Sequence, residues 1–216
     1  MSAQDFLQAC ASGDLDAVKQ SVEGNPELLN LRSTTGQSPV LAAVYHGKMQ
    51  AVELLLELGI GLDVFEAAAL GKEARVRELV DADATLAKAF GNDGFTALGL
   101  ASFLGHLPVA AYLLEKGAEV NSVSKNNFQV MPLHSAVANR HLAIAELLLQ
   151  NGANANAHQQ DGFTPLHEAA QNGDEAMISL LLAHGADRTV TKADGETPLQ
   201  TALSHDRAQA AELLRD

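Results

Sequence analysis

The chain has 216 residues, room for one large domain with a sizeable core, and a formal net charge of −13 at pH 7. That charge argues against sequence-independent binding to nucleic acid or to an anionic membrane surface, and fits a surface that simply keeps the chain soluble, ahead of one that meets a basic partner. With 47% hydrophobic residues, 4% aromatics and no tryptophan, the composition favours helices packed through alanine and leucine over a β-sandwich or barrel.

The N-terminal segment MSAQDFLQACASGD has neither a basic nor an apolar leader region, so it is expected to be a helix and not a signal peptide. Ser2 and Asp5, three residues on, form the capping-box pattern that opens it. The one cysteine, Cys10, lies on this helix in Ala-Cys-Ala, where a small buried residue is expected. A lone thiol makes no internal disulfide, which points to a reducing compartment and a cytoplasmic location. No apolar run approaches the roughly 18 residues needed to span a bilayer.

Farther along, the sequence repeats itself. Gly13, Gly36, Gly47 and Gly59 recur 58 residues later as Gly71, Gly94, Gly105 and Gly117. Residues 14–35 (DLDAVKQSVEGNPELLNLRSTT) correspond in this way to residues 72–93 (KEARVRELVDADATLAKAFGND). In the C-terminal half Pro132-Leu133-His134, Pro165-Leu166-His167 and Pro198-Leu199-Gln200 start at a spacing of 33. Pro39 to Gly59, Ala97 to Gly117, Pro132 to Gly152 and Pro165 to Gly185 are each 20 apart.

Each block states its own structure. Thr-Pro opens a helix, because the threonine caps free amides and proline suits a first turn that needs no N–H. Ala42-Ala43, Ala136 and Ala169-Ala170 let paired helices approach, and Gly47, Gly105 and Gly173 end the first helix. Val52, Leu54 and Leu55, then Ile144, Leu147 and Leu148, then Ile178, Leu181 and Leu182 form the apolar stripe of the second helix.

The blocks, among them DGFTPLHEAAQNGDEAMISLLLAHGAD, resemble the ankyrin-repeat family, whose Thr-Pro-Leu-His-x-Ala motif and period they carry. The resemblance is strong from residue 36 onward and implies an all-α solenoid of stacked helix-turn-helix units with short β-hairpin or loop fingers. Seven units are expected in one domain of residues 1–216, at roughly 2–34, 35–61, 62–92, 93–124, 125–157, 158–190 and 191–216. The unit before Phe65 has almost no room for a finger, so the finger edge should be interrupted there. Polar residues among the apolar positions of SHDRAQAAELLRD, with the Ser2–Asp5 box, lead us to expect capped ends, a complete solenoid and a monomer.

His167-Glu168 looks like the start of a zinc-protease helix, but Gln171 stands where the second His ligand belongs. The resemblance gives His134 and His167 a different task, bonding their own helix-opening residue and nearby backbone. Met131 replaces the threonine before His134, and Leu41, Gly99 and Gln200 occupy the histidine's place in other units. No pair among the eight histidines has metal-ligand spacing, and Asp81-Ala-Asp83 lacks the further oxygen ligands of a calcium loop. Neither a phosphate loop nor a Gly-x-Ser-x-Gly elbow occurs, so no cofactor, metal or catalytic residue is expected, and the chain is not expected to be an enzyme. Asn121 and Asn156, positions of a type that is hydroxylated in some ankyrin repeats, are expected to close turns.

The family's usual binding surface is the concave face formed by finger tips and first helices. The residues before each helix-ending position should project there: Tyr45 and His46, Ala69 and Leu70, Phe103 and Leu104, Ala138 and Asn139, Gln171 and Asn172, Ser204 and His205. Tyr45, Leu70, Phe103 and Leu104 are large and apolar and are the expected anchors. Phe95, Phe128 and Phe163 join from the finger side, and the spacing of 35 from Ala97 to Pro132 lengthens the Phe128 finger by two residues. The expected function is a non-catalytic adaptor or scaffold that binds another protein through this face. A stabilising or regulatory subunit of an enzyme complex is the alternative, and an enzyme ranks behind both.

Overall fold

A computed structural model describes residues 2–215; Met1 and Asp216, the outermost positions of the expected domain, lie outside them. The described residues form fourteen α-helices that pair in chain order. The pairs are α1 (Ala3–Ser12) with α2 (Leu15–Gly24), α3 (Pro39–Tyr45) with α4 (Met49–Glu57), and α5 (Val64–Ala69) with α6 (Glu73–Ala82). They continue as α7 (Ala97–Leu104) with α8 (Leu107–Glu115), α9 (Pro132–Ala138) with α10 (Leu142–Gln150), α11 (Pro165–Asn172) with α12 (Glu175–Ala183), and α13 (Pro198–Ser204) with α14 (Ala208–Leu213). First helices stack on first helices from α1 to α13, and second helices form a parallel row behind them. This is the all-α solenoid the repeats imply.

The helix starts follow from residue chemistry. Ser38 Oγ accepts from the Leu41 amide at 3.1 Å, and Thr96 Oγ1 from the Gly99 amide at 3.0 Å. Ser2 and Asp5 cap each other as expected, with the Asp5 amide on Ser2 Oγ at 3.1 Å and the Ser2 amide on Asp5 Oδ2 at 3.2 Å. Asp63 and Glu66 make a second such box at α5. The 58-residue likeness also has a physical basis. Asn25 and Asp83, both extended, each cap a short 3₁₀ turn, Pro26–Asn30 and Ala84–Lys88.

The helix turns need glycine for two reasons at once. Gly105 has φ +85°, which side chains rarely adopt, and a Cβ there would sit 2.7 Å from the His141 ring of the next unit.

The fingers are turn-closed loops, with one isolated bridge, Phe90 to Thr96, and no strand among the described residues. Four close the same way: amide to carbonyl from Ser33 to Gln37, Gly91 to Phe95, Gln159 to Phe163 and Lys192 to Glu196. The fifth runs from Ser124 to Val130, two residues longer, with Gln129 at φ 50° shaping its tip. The two-residue excess in the Ala97–Pro132 spacing therefore lies in the Phe128 loop.

The finger edge is not interrupted at the third unit. Only residues 58–63 join α4 to α5, yet Gly36 of the preceding finger lies against the Asn92 backbone of the following one. The two neighbours close over the missing finger, and the Tyr45 hydroxyl bonds Asp93 Oδ2 across it at 2.9 Å. Fingers also bond directly, the Lys125 amide to Gly94 O at 2.8 Å and the Ala193 amide to Asp161 O at 2.9 Å.

Gly94 has φ +84°, and a Cβ there would meet the Lys125 carbonyl carbon at 2.7 Å. Gly94→Ala should cost about 1–3 kcal/mol in urea unfolding, combining left-handed strain with displacement of the next finger. The control Gly24→Ala, in a helix with nothing within 4 Å of the new methyl, should be neutral or stabilising. Equal effects of the two substitutions would refute the finger-stacking account.

Candidate functional site

The histidines occupy structural positions. His167 Nδ1 meets Thr164 Oγ1 at 2.8 Å and the Thr164 amide at 3.3 Å, while Nε2 donates to Glu196 O of the next unit at 3.1 Å. His134 repeats this without a hydroxyl: Nδ1 accepts from the Met131 amide at 3.3 Å and Nε2 donates to Ala157 O at 3.0 Å. Both rings thus lock their own helix start; His134 ties it to the end of its own unit and His167 to the finger of the following one. Desolvation by burial holds both below the usual histidine range, His134 at about 4. His106 and His141 reach back to Ala69 O and Phe103 O at 2.9 and 3.1 Å. Among the described residues no group of three or more His, Cys, Asp or Glu is placed to hold a metal.

Other polar residues singled out by the sequence have local work. Asp81 accepts from the Tyr112 hydroxyl at 2.9 Å and from Lys116 Nζ at 2.6 Å, an outer-row network that gives no metal geometry. The Asn121 amide group donates to Gly152 O at 3.0 Å and accepts from the Asn154 amide at 2.9 Å. Asn156 does the same with Gly185 and Asp187. Cys10 is buried, and desolvation pushes its thiol up to about 12, far from a reactive thiolate.

On the face where the first helices meet the fingers, a groove of about 380 Å³ opens to solvent. Tyr45 from α3, Leu100 and Phe103 from α7, and Ala138 from α9 form its floor, with Phe95, Phe128 and Val130 contributed by the fingers. Phe95 stacks on Phe128, ring centroids 6.3 Å apart, and Phe128 remains 62% exposed and Phe103 41%. The Tyr45 hydroxyl is held above its usual range, first by burial and then by Asp93. A second trough of about 280 Å³ continues the groove, sharing Phe128, Val130, Gln159 and Glu168 and adding Phe163.

The structure thus brings together Tyr45, Phe95, Phe103 and Phe128, with Phe163 in the continuation. Leu70 and Leu104 are half-buried against the N-terminal core cluster, outside the groove lining. His46 is exposed in a separate recess beside α1, its ring on Ala42 O at 2.9 Å. Asn139 and Asn172 use their amide groups on backbone, Asn139 on Ser135 O at 3.0 Å and Asn172 on Ala138 O at 3.3 Å. Sequence reasoning passed over Glu168, which lines both compartments. Its signal was register. The same place in the other units carries Phe6, Ala42, Ala67, Leu100, Ser135 and Thr201, all buried.

A row of paired helices with an apolar groove along one face defines a repeat scaffold built to present a surface. The model for ankyrin repeats (3 copies) matches residues 6–124, 64–158 and 133–216, and the chain belongs to the ankyrin-repeat family. It is 30% identical over 162 residues to the ankyrin repeat and KH domain-containing protein mask-1 of Caenorhabditis elegans, covering 71% of this chain and 6% of that one. It is 26% identical to alpha-latrocrustotoxin-Lt1a of Latrodectus tredecimguttatus, covering 73% of this chain and 12% of the toxin. With human ankyrin repeat and SOCS box protein 16 the identity is 29%, over 73% of this chain and 38% of the relative. The chain therefore spans a minor part of each of these relatives. Ankyrin repeats are in general protein–protein interaction modules. No helix among the described residues is long and apolar enough to cross a membrane.

The histidine geometry fixes a pH dependence. His134 takes up its proton near 6.5 when unfolded and near 4 when folded, so the unfolded chain protonates first as pH falls. The stability from neutral His134 is complete above about pH 6.5 and declines through the window down to about pH 4, by about 2 kcal/mol at pH 5. Gln200 already performs the histidine's local task in the last unit, its Oε1 accepting from the Thr197 amide at 2.8 Å. His134→Gln should therefore fold and show a shallower loss of urea stability between pH 7 and 5 than wild type; parallel curves would refute the assignment.

Proposed function

We propose that the chain is a non-catalytic adaptor or scaffold that binds another protein through its concave face, with Phe103 and Phe128 as exposed anchors backed by Tyr45 and Phe95. The observation that carries this reading is the groove: aromatic side chains from three units and two fingers converge on one open apolar channel. Isolated exposed apolar residues are ordinary, but a convergent set in a concave surface is the form that binding sites take. Leu70, Leu104, His46, Asn139 and Asn172 shape or flank this face, and Phe163 extends it.

The same reading excludes nucleic acid as partner, supported by the net charge of −13. A cytoplasmic setting is supported by the single buried thiol. The polar exposed Arg207, Gln209, Glu212 and Arg215 around α14 favour a monomer. The absence of catalysis is supported by the roles of His134 and His167, whose ring nitrogens are both engaged in the scaffold.

The test is a pull-down from source-cell lysate with wild type beside Phe103→Asp/Phe128→Asp, with an exposed outer-row control, Leu213→Asp, and circular dichroism to match folding. A partner held by wild type and control should be lost by the double variant, since truncating one buried anchor costs about 2 kcal/mol or more. A partner held equally by all three proteins would move the site off this face.

A further inference from the structure

We infer that the groove takes an extended, basic and apolar segment of its partner: a bulky apolar side chain seated between Phe103 and Phe128, and a lysine or arginine along the same segment paired with Glu168. This rests on the reading of the face as partner-binding and specifies the chemistry of what is bound.

The starting observation is a carboxylate out of place. At the register of Glu168 the other six units bury an apolar, small or hydroxyl side chain. Here a charged group is set half-buried in the wall where the two compartments join. Among the described residues it has no hydrogen bond and no ion pair, and burial alone raises its pKa. A desolvated carboxylate without a partner destabilises the unit that carries it. Among the described residues no cation pairs with Glu168: Arg188 of its own unit leaves a buried Nε without a hydrogen bond, and Lys125 lies over the Phe90 ring. Lys192 is paired with Asp194 and Glu196 at 3.1 and 2.9 Å, Arg140 bonds Asn172 O at 2.6 Å, and Arg207 bonds Gln171 O at 3.1 Å. A partner that fills the groove can supply the complementary charge.

The shape selects a segment. Glu168 lies between an apolar compartment of about 380 Å³ and an open trough of about 280 Å³ that runs past Asp161. An occupant that fills the first compartment and reaches the carboxylate has a path to continue, which suits a peptide backbone. The charge selects its sign: Glu168 and Asp161 line the trough, and Lys192, 4.8 Å over the Phe163 ring, is already paired with Asp194 and Glu196, so with a net −13 a basic segment is drawn in and an acidic one repelled.

The experiment is selection of a displayed library of random peptides, about a dozen residues long, on the full chain, followed by anisotropy measurements on the enriched sequences. We expect an aromatic or large aliphatic residue and a Lys or Arg at a constant separation. Glu168→Gln should weaken binding about tenfold or more, and Phe103→Asp should abolish it. Raised salt should reduce the difference between wild type and Glu168→Gln. Matching far-ultraviolet spectra would exclude misfolding, and Glu168→Gln should be at least as stable as wild type. Enriched peptides without a basic residue, or unaffected by Glu168→Gln, overturn this inference; if Phe103→Asp still abolishes them, the groove reading stands. Peptides indifferent to Phe103→Asp overturn both readings. No enrichment overturns the extended segment and leaves a folded surface as the groove's occupant.

Discussion

Every helix pair depends on its neighbour, because two short amphipathic helices expose too much apolar surface to stand alone. Stacking solves that problem, and the polar contacts fix its register. His134 and His167 lock their own helix start through Nδ1, and through Nε2 hold the segment leading to the next finger, on Ala157 O, and the next finger itself, on Glu196 O. Asn121 and Asn156 join successive turns at the other end of the pair. The histidine bonds use buried or partly buried backbone groups that would otherwise lack partners, so losing one leaves an orphan as well as removing a bond.

The core shows where that dependence is weakest. One apolar cluster gathers α1 to α4 with Ala69 and Leu100, and a second extends from α5 to the end of the solenoid. Leu62 and Phe65 touch both. Around this junction the third unit lacks a finger and Arg32 crosses to α5, 3.2 Å from Asp63 and 3.4 Å from Glu66. Glu66 is almost wholly buried, and desolvation with Asp63 nearby raises its pKa, so Arg32 offsets part of a real penalty. The groove begins beside this seam, at Tyr45 and Asp93, and is walled by units on its C-terminal side.

Periodicity is why so much of the fold was legible. A motif in register several times averages away the ambiguity of any one copy, and Thr96, Thr197, Gly105 and Gly173 do locally what their types dictate. Even the two-residue excess before Pro132 mapped to one loop. What was not legible depends on contacts between units. The spacing showed that the third finger was short, but not that Gly36 would come to rest on Asn92 and close the edge. Nor did it show which of Tyr45, Leu70, Phe103 and Leu104 would face the groove, since a single step along a short helix, about 100° of rotation, separates Phe103 at 41% exposure from Leu104 packed on the core.

Glu168 was illegible for another reason. In the string Pro-Leu-His-Glu it sits beside the residue that draws the eye, and a glutamate in the first turn of a helix is ordinary, even favourable to the helix dipole. Only the register across units makes it unusual, and only the structure shows that it lies beside an apolar channel with no cation assigned to it. A scaffold can replace an unpaired half-buried carboxylate at little cost: Ser135 and Thr201 show that a hydroxyl fits this register. Its presence where the apolar compartment joins the open trough is thus a departure from the repeat that folding alone does not require. Sites where sequence departs from local rules without a structural return are where function is expected. In the proposed complex the return comes from the partner segment in the groove.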